Sequence, residues 1–255
     1  MDRKKITIIG GTGLVGAKLA RLLAVAGHEI VAASPGTGVN SVTGVGLDEV
    51  LAGADILVDV SNAMSFDPAE VRAFFDASGR NLIRAAAAAG VKHHVVLSIV
   101  GADRMPGNGY FDGKLVQERI ATGSGLPYTI VRSAQFFEFL AAITDGYTAD
   151  GLVRVSGAQF QPIAADDVAA NLASIALEPA VNGIVEIAGP ERRPFDLTLG
   201  RYLKMRGDAR RVERDPDADY FGGRVEDLSL VPLGLHRQGK QDLTTWMNAQ
   251  ATPTA

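Results

Sequence analysis

The chain has 255 residues, no cysteine and a formal net charge of −4, with 47% apolar and 21% charged residues. That composition supports a large core, and the acidic balance argues against a protein that lives on a nucleic-acid backbone. Lack of cysteine excludes disulfides and thiolate metal sites, and no apolar run approaches the ~18 residues of a membrane-spanning helix. The charged start, Met1 to Lys5, leads into a short apolar strand rather than a signal peptide, so a cytoplasmic location is expected.

The first predicted strand, Ile6-Thr7-Ile8-Ile9, is rich in β-branched residues and runs into Gly10-Gly11-Thr12-Gly13-Leu14-Val15-Gly16. Apolar residues at Leu14, Val15, Ala17, Leu19, Leu22 and Leu23 then predict a helix that closes at Gly27. Strand, glycine turn and helix are the opening of a dinucleotide-binding unit. Glycine lets the turn close and lets a pyrophosphate approach the main chain, where helix-start amides and the helix dipole favour its charge. The second strand, Glu29 to Ala33, ends at Ser34-Pro35-Gly36-Thr37, a position where an acid would grip the adenosine ribose. Neither Asp, Glu nor Arg stands there, and Ser34, Thr37 and the glycine amides offer a phosphate nest instead. The expected cofactor is NADP, with NAD as the alternative, held by Gly10, Thr12, Gly13, Leu14, Val15, Gly16, Ser34 and Thr37.

Val39 to Thr43 reads as a short third strand and Leu47 to Leu51 as a short helix. Ala54 to Val60 is a buried parallel strand, and Ser61 and Asn62 follow at its C-terminal end, where open α/β sheets bind ligands. Asp67-Pro68-Ala69-Glu70 starts a helix with its own cap, and Gly79 is a possible kink within it. His94 to Ser98 is the next strand, Tyr110 to Ala121 a helix, and Tyr128 to Arg132 a further strand. Beyond it come helices at Ala165 to Leu177, opened by Asp166 and Asp167, and from a cap at Asp196 to Gly207. Gly183 to Ile187 is a strand, and the charged stretch Arg210 to Asp219, with Pro216, reads as surface loop. His93 and His94 are adjacent, so on a strand they diverge and make a poor metal pair; a surface or capping role is the simpler reading, and no metal is expected. The fold class is α/β: a doubly wound parallel sheet, a Rossmann fold, with a small C-terminal α/β substrate-side cap. Residues 1–150 form the cofactor-binding core and 151–255 the substrate-side region, packed on the same sheet.

Tyr110 and Lys114 are four residues apart and share a helix face. A phenol alone has a pKa near ~10, and an adjacent ammonium lowers it, so such a Tyr can exchange a proton with a carbonyl/alcohol couple as hydride moves. Ser98, at a strand end twelve positions earlier, is placed to hydrogen-bond the same oxygen. The competing reading, an exposed Tyr and a solvated Lys, stays open. Phe136 and Phe137 follow a strand end and are candidate walls of a substrate pocket, with core packing as the alternative.

The glycine turn, Ser98, Tyr110-Phe111-Asp112-Gly113-Lys114, Pro127 to Arg132 and Gln161 to Ala169 together resemble the atypical short-chain dehydrogenase/reductase family, NmrA-like branch. The resemblance extends to about Gly189. It implies a Rossmann fold, NAD(P) binding and, often, reductase activity. It also implies that Gly10, Gly13 and Gly16 contact the cofactor, that Lys114 binds the nicotinamide ribose, and that Tyr110, Lys114 and Ser98 are catalytic. Many members lack the Tyr, and many place an Arg after the second strand where this chain has Ser34. The expectation is an NAD(P)H-dependent oxidoreductase acting on a small carbonyl, alcohol or conjugated substrate, as a monomer or homodimer, with no nucleic-acid or membrane partner. The alternatives are a non-catalytic NAD(P)-sensing regulator and an isomerase or epimerase of the same fold.

Overall fold

The computed structural model describes residues 2–251; Met1 and residues 252–255, the outer ends of the two expected regions, lie outside the described residues. The chain opens with β1 (Lys5–Ile9), α1 (Leu14–Val25), β2 (Glu29–Ala33), α2 (Leu47–Leu51), β3 (Ile56–Asp59), α3 (Pro68–Ala89), β4 (His93–Ile99), α4 (Gly109–Thr122) and β5 (Tyr128–Ser133). It continues with α5 (Leu140–Gly146), β6 (Thr148–Ala149), β7 (Leu152–Val155), β8 (Gln159–Phe160), α6 (Ala165–Leu177), β9 (Gly183–Ala188) and β10 (Arg193–Pro194). The last elements are α7 (Phe195–Met205), β11 (Arg211–Arg214), β12 (Arg237–Gln238) and α8 (Leu243–Ala251).

A seven-stranded sheet of order β12-β9-β5-β4-β3-β1-β2 organises the molecule, and every neighbouring pair in it is parallel. Parallel strands need crossovers and covered faces, and the strands' alternation supplies both layers. Ile6 and Ile8 point to one side, packing with Leu19 and Leu23 of α1 and Val168, Leu172 and Ile175 of α6. Ile9 and Leu57 point to the other, onto Leu47 and Leu51 of α2 and Leu82 and Ala86 of α3. Each of these Ile, Leu and Val side chains, fully buried, is worth about 1.5–3 kcal/mol. Order reverses between β1 and β3, which are neighbours in the sheet, so the crevice at the strands' C-terminal ends lies beside the glycine turn. A second core joins Met105, Phe111 and Phe137, just past the ends of β4 and β5, to Phe160, Phe195, Leu199, Tyr220 and Trp246.

Several local expectations are corrected. Residues 39–43 form turns, not a strand, because the Asn40 side chain accepts the amides of Val42 and Thr43 and closes the chain on itself. Asp196 does not cap α7; Pro194 holds that position and Arg214 takes the Asp196 carboxylate at 3.0 Å. Arg211–Arg214 is a strand, parallel to β7, rather than loop. Neither Asp166 nor Asp167 caps α6: Asp166 pairs with Lys18 of α1, Asp167 accepts the amides of Lys240 and Gln241, and the carboxylate of Glu138 takes the Ala165 amide. His93 and His94 are both buried, with His93 Nε2 2.8 Å from Thr129 Oγ1. Among the described residues no helix is long and apolar enough to cross a membrane.

α3 runs through Gly79 unbroken, capped by Asp67 on the amides of Ala69 and Glu70. The glycine serves packing instead, since a Cβ there would lie 3.0 Å from Ile120 Cδ1 of α4. Gly113, on the facing helix, is tighter still: its Cβ would fall 2.6 Å from Val71 Cγ1 and 3.1 Å from a Phe75 ring carbon. Both neighbours are fully buried and Val71 is stiff at χ1, so neither can swing away. Overpacking of this kind costs about 1–3 kcal/mol, against about 1 kcal/mol of helix propensity gained. Gly113→Ala is therefore expected to lower the urea midpoint by a net loss of about 1 kcal/mol with an unchanged m-value; a midpoint at or above wild type would contradict this packing.

Candidate active site

The turn after β1 is built by four glycines with different duties. Gly10 (φ +79°) and Gly11 both donate their amides to Ala33 O, at 2.9 and 3.1 Å, which ties the turn to the end of β2. A Cβ on Gly10 would stand 2.8 Å from Val60 O, and one on Gly16 would stand 2.1 Å from Gly10 O. Those two are glycine because β1, β3 and α1 meet there. Gly13 differs: it precedes α1 in extended conformation, and the nearest atom to its missing Cβ is Gly10 O at 3.3 Å. No side chain caps α1 and no acid stands in its first turn; the Gly13 amide is spent on Gly10 O at 3.0 Å, and among the described residues the amides of Leu14, Val15 and Gly16 have no protein acceptor. Thr12 and Leu14 beside them are exposed. Free amides, a dipole end and an exposed Gly13 without a side chain fit a dinucleotide pyrophosphate. Ser34 follows Ala33 directly; it is buried and its Oγ has no hydrogen-bond partner, whereas Thr37 spends its hydroxyl on the Ser34 amide and carbonyl. Of those two nest residues, Ser34 alone is left with an unspent hydroxyl.

The ends of β3 and β4 hold the ionisable groups. Lys114 is buried; its Nζ donates to Leu97 O at 2.6 Å and to Gln117 Oε1, and lies 4.5 Å from the centre of the Phe75 ring. Burial pushes its pKa down to about 8, against the opposing pull of Asp59 and Glu118. An ammonium has three protons, so one remains for a ligand. Gln117 Nε2 donates to Asp59 Oδ2 at 2.7 Å, and Asp59 Oδ1 accepts the amide and hydroxyl of Ser61 at 3.0 and 2.6 Å. The Tyr110 hydroxyl donates to Asn62 Oδ1 at 2.6 Å. Tyr110 and Lys114 thus share a helix but engage different partners, and the expected lowering of the phenol pKa is reversed: burial raises it to about 12, with Asn62 opposing and Lys114 not contributing. Asp59 and Gln117 were missed by sequence reasoning. Gln117 stands one turn after Lys114, and Asp59 is the one charged residue in β3; those were the available signals.

Ser98 lies apart from this group. Its hydroxyl is buried and donates to Glu118 Oε1 at 2.5 Å, inside an ion pair that Arg132 makes with Glu118 and Asp103 at 2.8 Å each. Burial lowers the Arg132 pKa but the bonds to Glu118 and Asp103 outweigh it, so the guanidinium is held above its usual value. Phe137 packs on Trp246, with centroids 5.4 Å apart, and is core; Phe136 stacks on Phe139, which is 44% exposed and borders solvent.

Comparison with known proteins agrees with this geometry. Residues 39–179, more than half the chain, match a family described as NAD(P)H-binding. Photosystem II assembly factor Ycf39 from Synechocystis is 28% identical over 150 residues, covering 53% of this chain and 46% of its own length, so the match spans about half of that relative. A short-chain dehydrogenase/reductase superfamily protein from Agrobacterium tumefaciens, solved with NAD, superposes with a TM-score of 0.68 at 18% identity over 82% of this chain and 85% of its own. An NADPH-dependent quinone oxidoreductase from Escherichia coli, complexed with NADPH, gives 0.63 at 22% identity over 83% and 79%. At such identities the two structures establish the shared fold.

The glycines separate a folding duty from a binding duty. Gly13→Ala keeps allowed backbone angles and is expected to cost at most about 1 kcal/mol, while weakening NADPH at least ten-fold. Gly16→Ala drives a methyl into Gly10 O and is expected to lose both stability and binding. Calorimetric titration beside thermal melts checks the pair; Gly13→Ala binding like wild type would contradict a phosphate at this turn.

Proposed function

The chain belongs to the NAD(P)H-binding family, and we propose that it is an NAD(P)H-dependent oxidoreductase of the atypical short-chain dehydrogenase/reductase type, reducing a small carbonyl or conjugated substrate. The observation that carries this reading is Lys114 Nζ, held by Leu97 O and Gln117 Oε1 at the ends of β3 and β4 beside a dinucleotide turn, with two acceptors for its three N–H groups. When bound, the dinucleotide would supply the hydride for such a reduction. Lys114 holds the ribose hydroxyls by that third N–H. Tyr110 gives its hydroxyl proton to the carbonyl oxygen, after leaving Asn62. Phe136 and Phe139 offer a stacked apolar wall for a planar substrate. Ser98 has no part in this step, since its proton is already committed to Glu118. The buried, unpartnered Ser34 hydroxyl and the lack of an acid after β2 favour NADP over NAD.

A second reading, a nucleotide-sensing regulator, has a specific observation behind it. The Tyr110 phenol is raised to about 12 and bonded to Asn62, which is the state of an unactivated acid. The relative from Synechocystis is an assembly factor by name.

Steady-state kinetics on a carbonyl and quinone panel separate the readings, with NADPH expected to be the better donor. Tyr110→Phe should lower turnover ~10²–10⁴-fold with cofactor affinity retained. Lys114→Ala should lower turnover and also weaken the cofactor by about one to two decades, the worth of one charged hydrogen bond. Tight NADPH binding with no turnover anywhere on the panel would favour the sensor; a silent Tyr110→Phe beside a severe Lys114→Ala would leave the Lys as the one group engaged.

A further inference from the structure

Asp59 and Gln117 are nearly excluded from solvent, yet hydrogen bonds lead from Asp59 through Gln117 to Lys114, and through Ser61 and its chain neighbour Asn62 to Tyr110. Asp59 is 1% exposed, Gln117 3% and Lys114 4%, so a carboxylate and an ammonium are buried in one pocket without touching each other. A neutral amide stands between them, and its orientation is dictated: Nε2 must face the carboxylate, which leaves Oε1 for Nζ. Lys114 Nζ also donates to Leu97 O at 2.6 Å, so Gln117 and the β4 backbone fix it together. The other oxygen of Asp59 anchors Ser61, and the next residue, Asn62, receives the Tyr110 hydroxyl.

We infer that Asp59 and Gln117 are positioning residues that hold Lys114 and the loop after β3 in fixed relation, so that the two groups on α4 meet one substrate together. The inference rests on the reading of Lys114 and Tyr110 as the working groups. Around Lys114, β3 contributes Asp59, α4 contributes Glu118, and α3 contributes the uncharged Phe75 ring. From β4 comes His94, which faces Asp59; burial, outweighing the pull of Asp59, lowers its pKa to about 4 and keeps it neutral near pH 7. Asp59 is therefore the charge beside Lys114 that a shape-conserving substitution can remove without touching the ion pair of Glu118 and Arg132.

Asp59→Asn keeps the shape, removes that charge and turns one acceptor into a donor, which must then oppose either Ser61 or Gln117. The test is a ¹³C NMR pH titration of lysine-labelled protein, with the Lys114 Cε signal assigned by its loss in Lys114→Met. A wild-type midpoint near 8 is expected to fall by about one pH unit in Asp59→Asn and by less in Gln117→Met, where the charge stays but the bridge is gone. Ser61→Ala removes the hydroxyl bond of the loop branch and keeps its backbone amide bond, so it should leave the Lys114 midpoint in place while lowering kcat rather than cofactor affinity. An unchanged midpoint in a variant that still melts cooperatively overturns the inference, and Gln117→Met carries the decision if Asp59→Asn does not fold. NADPH titration of the same wild-type sample judges the oxidoreductase reading separately: no binding would sink that reading, while the lysine midpoints still decide the Asp59 unit.

Discussion

The contact on which the site depends is the crossing of α1 over β1, where the Gly16 backbone lies so near Gly10 O that no side-chain atom fits between them. That approach aims the first turn of α1 at the crevice where the sheet order reverses, and it leaves the helix start without a cap. Unspent amides at a helix start cost stability unless something accepts from them. α1 is fixed from elsewhere, through Leu19 and Leu23 in the core and the Lys18–Asp166 pair to α6, so its open end can be kept for a ligand.

Charge burial is the second constraint. Lys114 sits where water is nearly excluded, and burial favours its neutral form despite Asp59 and Glu118 nearby. Two networks meet on consecutive residues of α4: Gln117 leads to Asp59 and the loop after β3, Glu118 to Arg132, Asp103 and Ser98. The first faces the candidate site. The second is a closed structural ion pair, so Ser98, which sequence alone places with the Tyr and Lys, is drawn off by a carboxylate that no spacing rule would have singled out.

Elements with strong local signals were legible in the sequence. The glycine turn, the Asp67 start of α3 and the helix Ala165–Leu177 follow from φ requirements, capping and 3.6-residue periodicity. What failed needed long-range knowledge. Arg211–Arg214 is polar and reads as loop, but β7 offers it a backbone edge. Asp167 reads as a cap because its partners, the amides of Lys240 and Gln241, lie over seventy residues away. His93 and His94 read as surface residues because nothing local reveals that strands β3 and β5 enclose them. In the site itself, the spacing of Tyr110 and Lys114 correctly places both on one helix, but the sequence could not say that Asn62 and Gln117 would take their polar atoms.

The most direct test of the account is a crystal structure of the protein grown with NADP. The pyrophosphate is expected on the amides at the start of α1, the adenosine ribose beside Ser34, and the nicotinamide ribose within hydrogen-bonding distance of Lys114 Nζ. A dinucleotide bound away from the Gly10–Gly16 turn, or one whose nicotinamide end leaves Lys114 uncontacted, would contradict it.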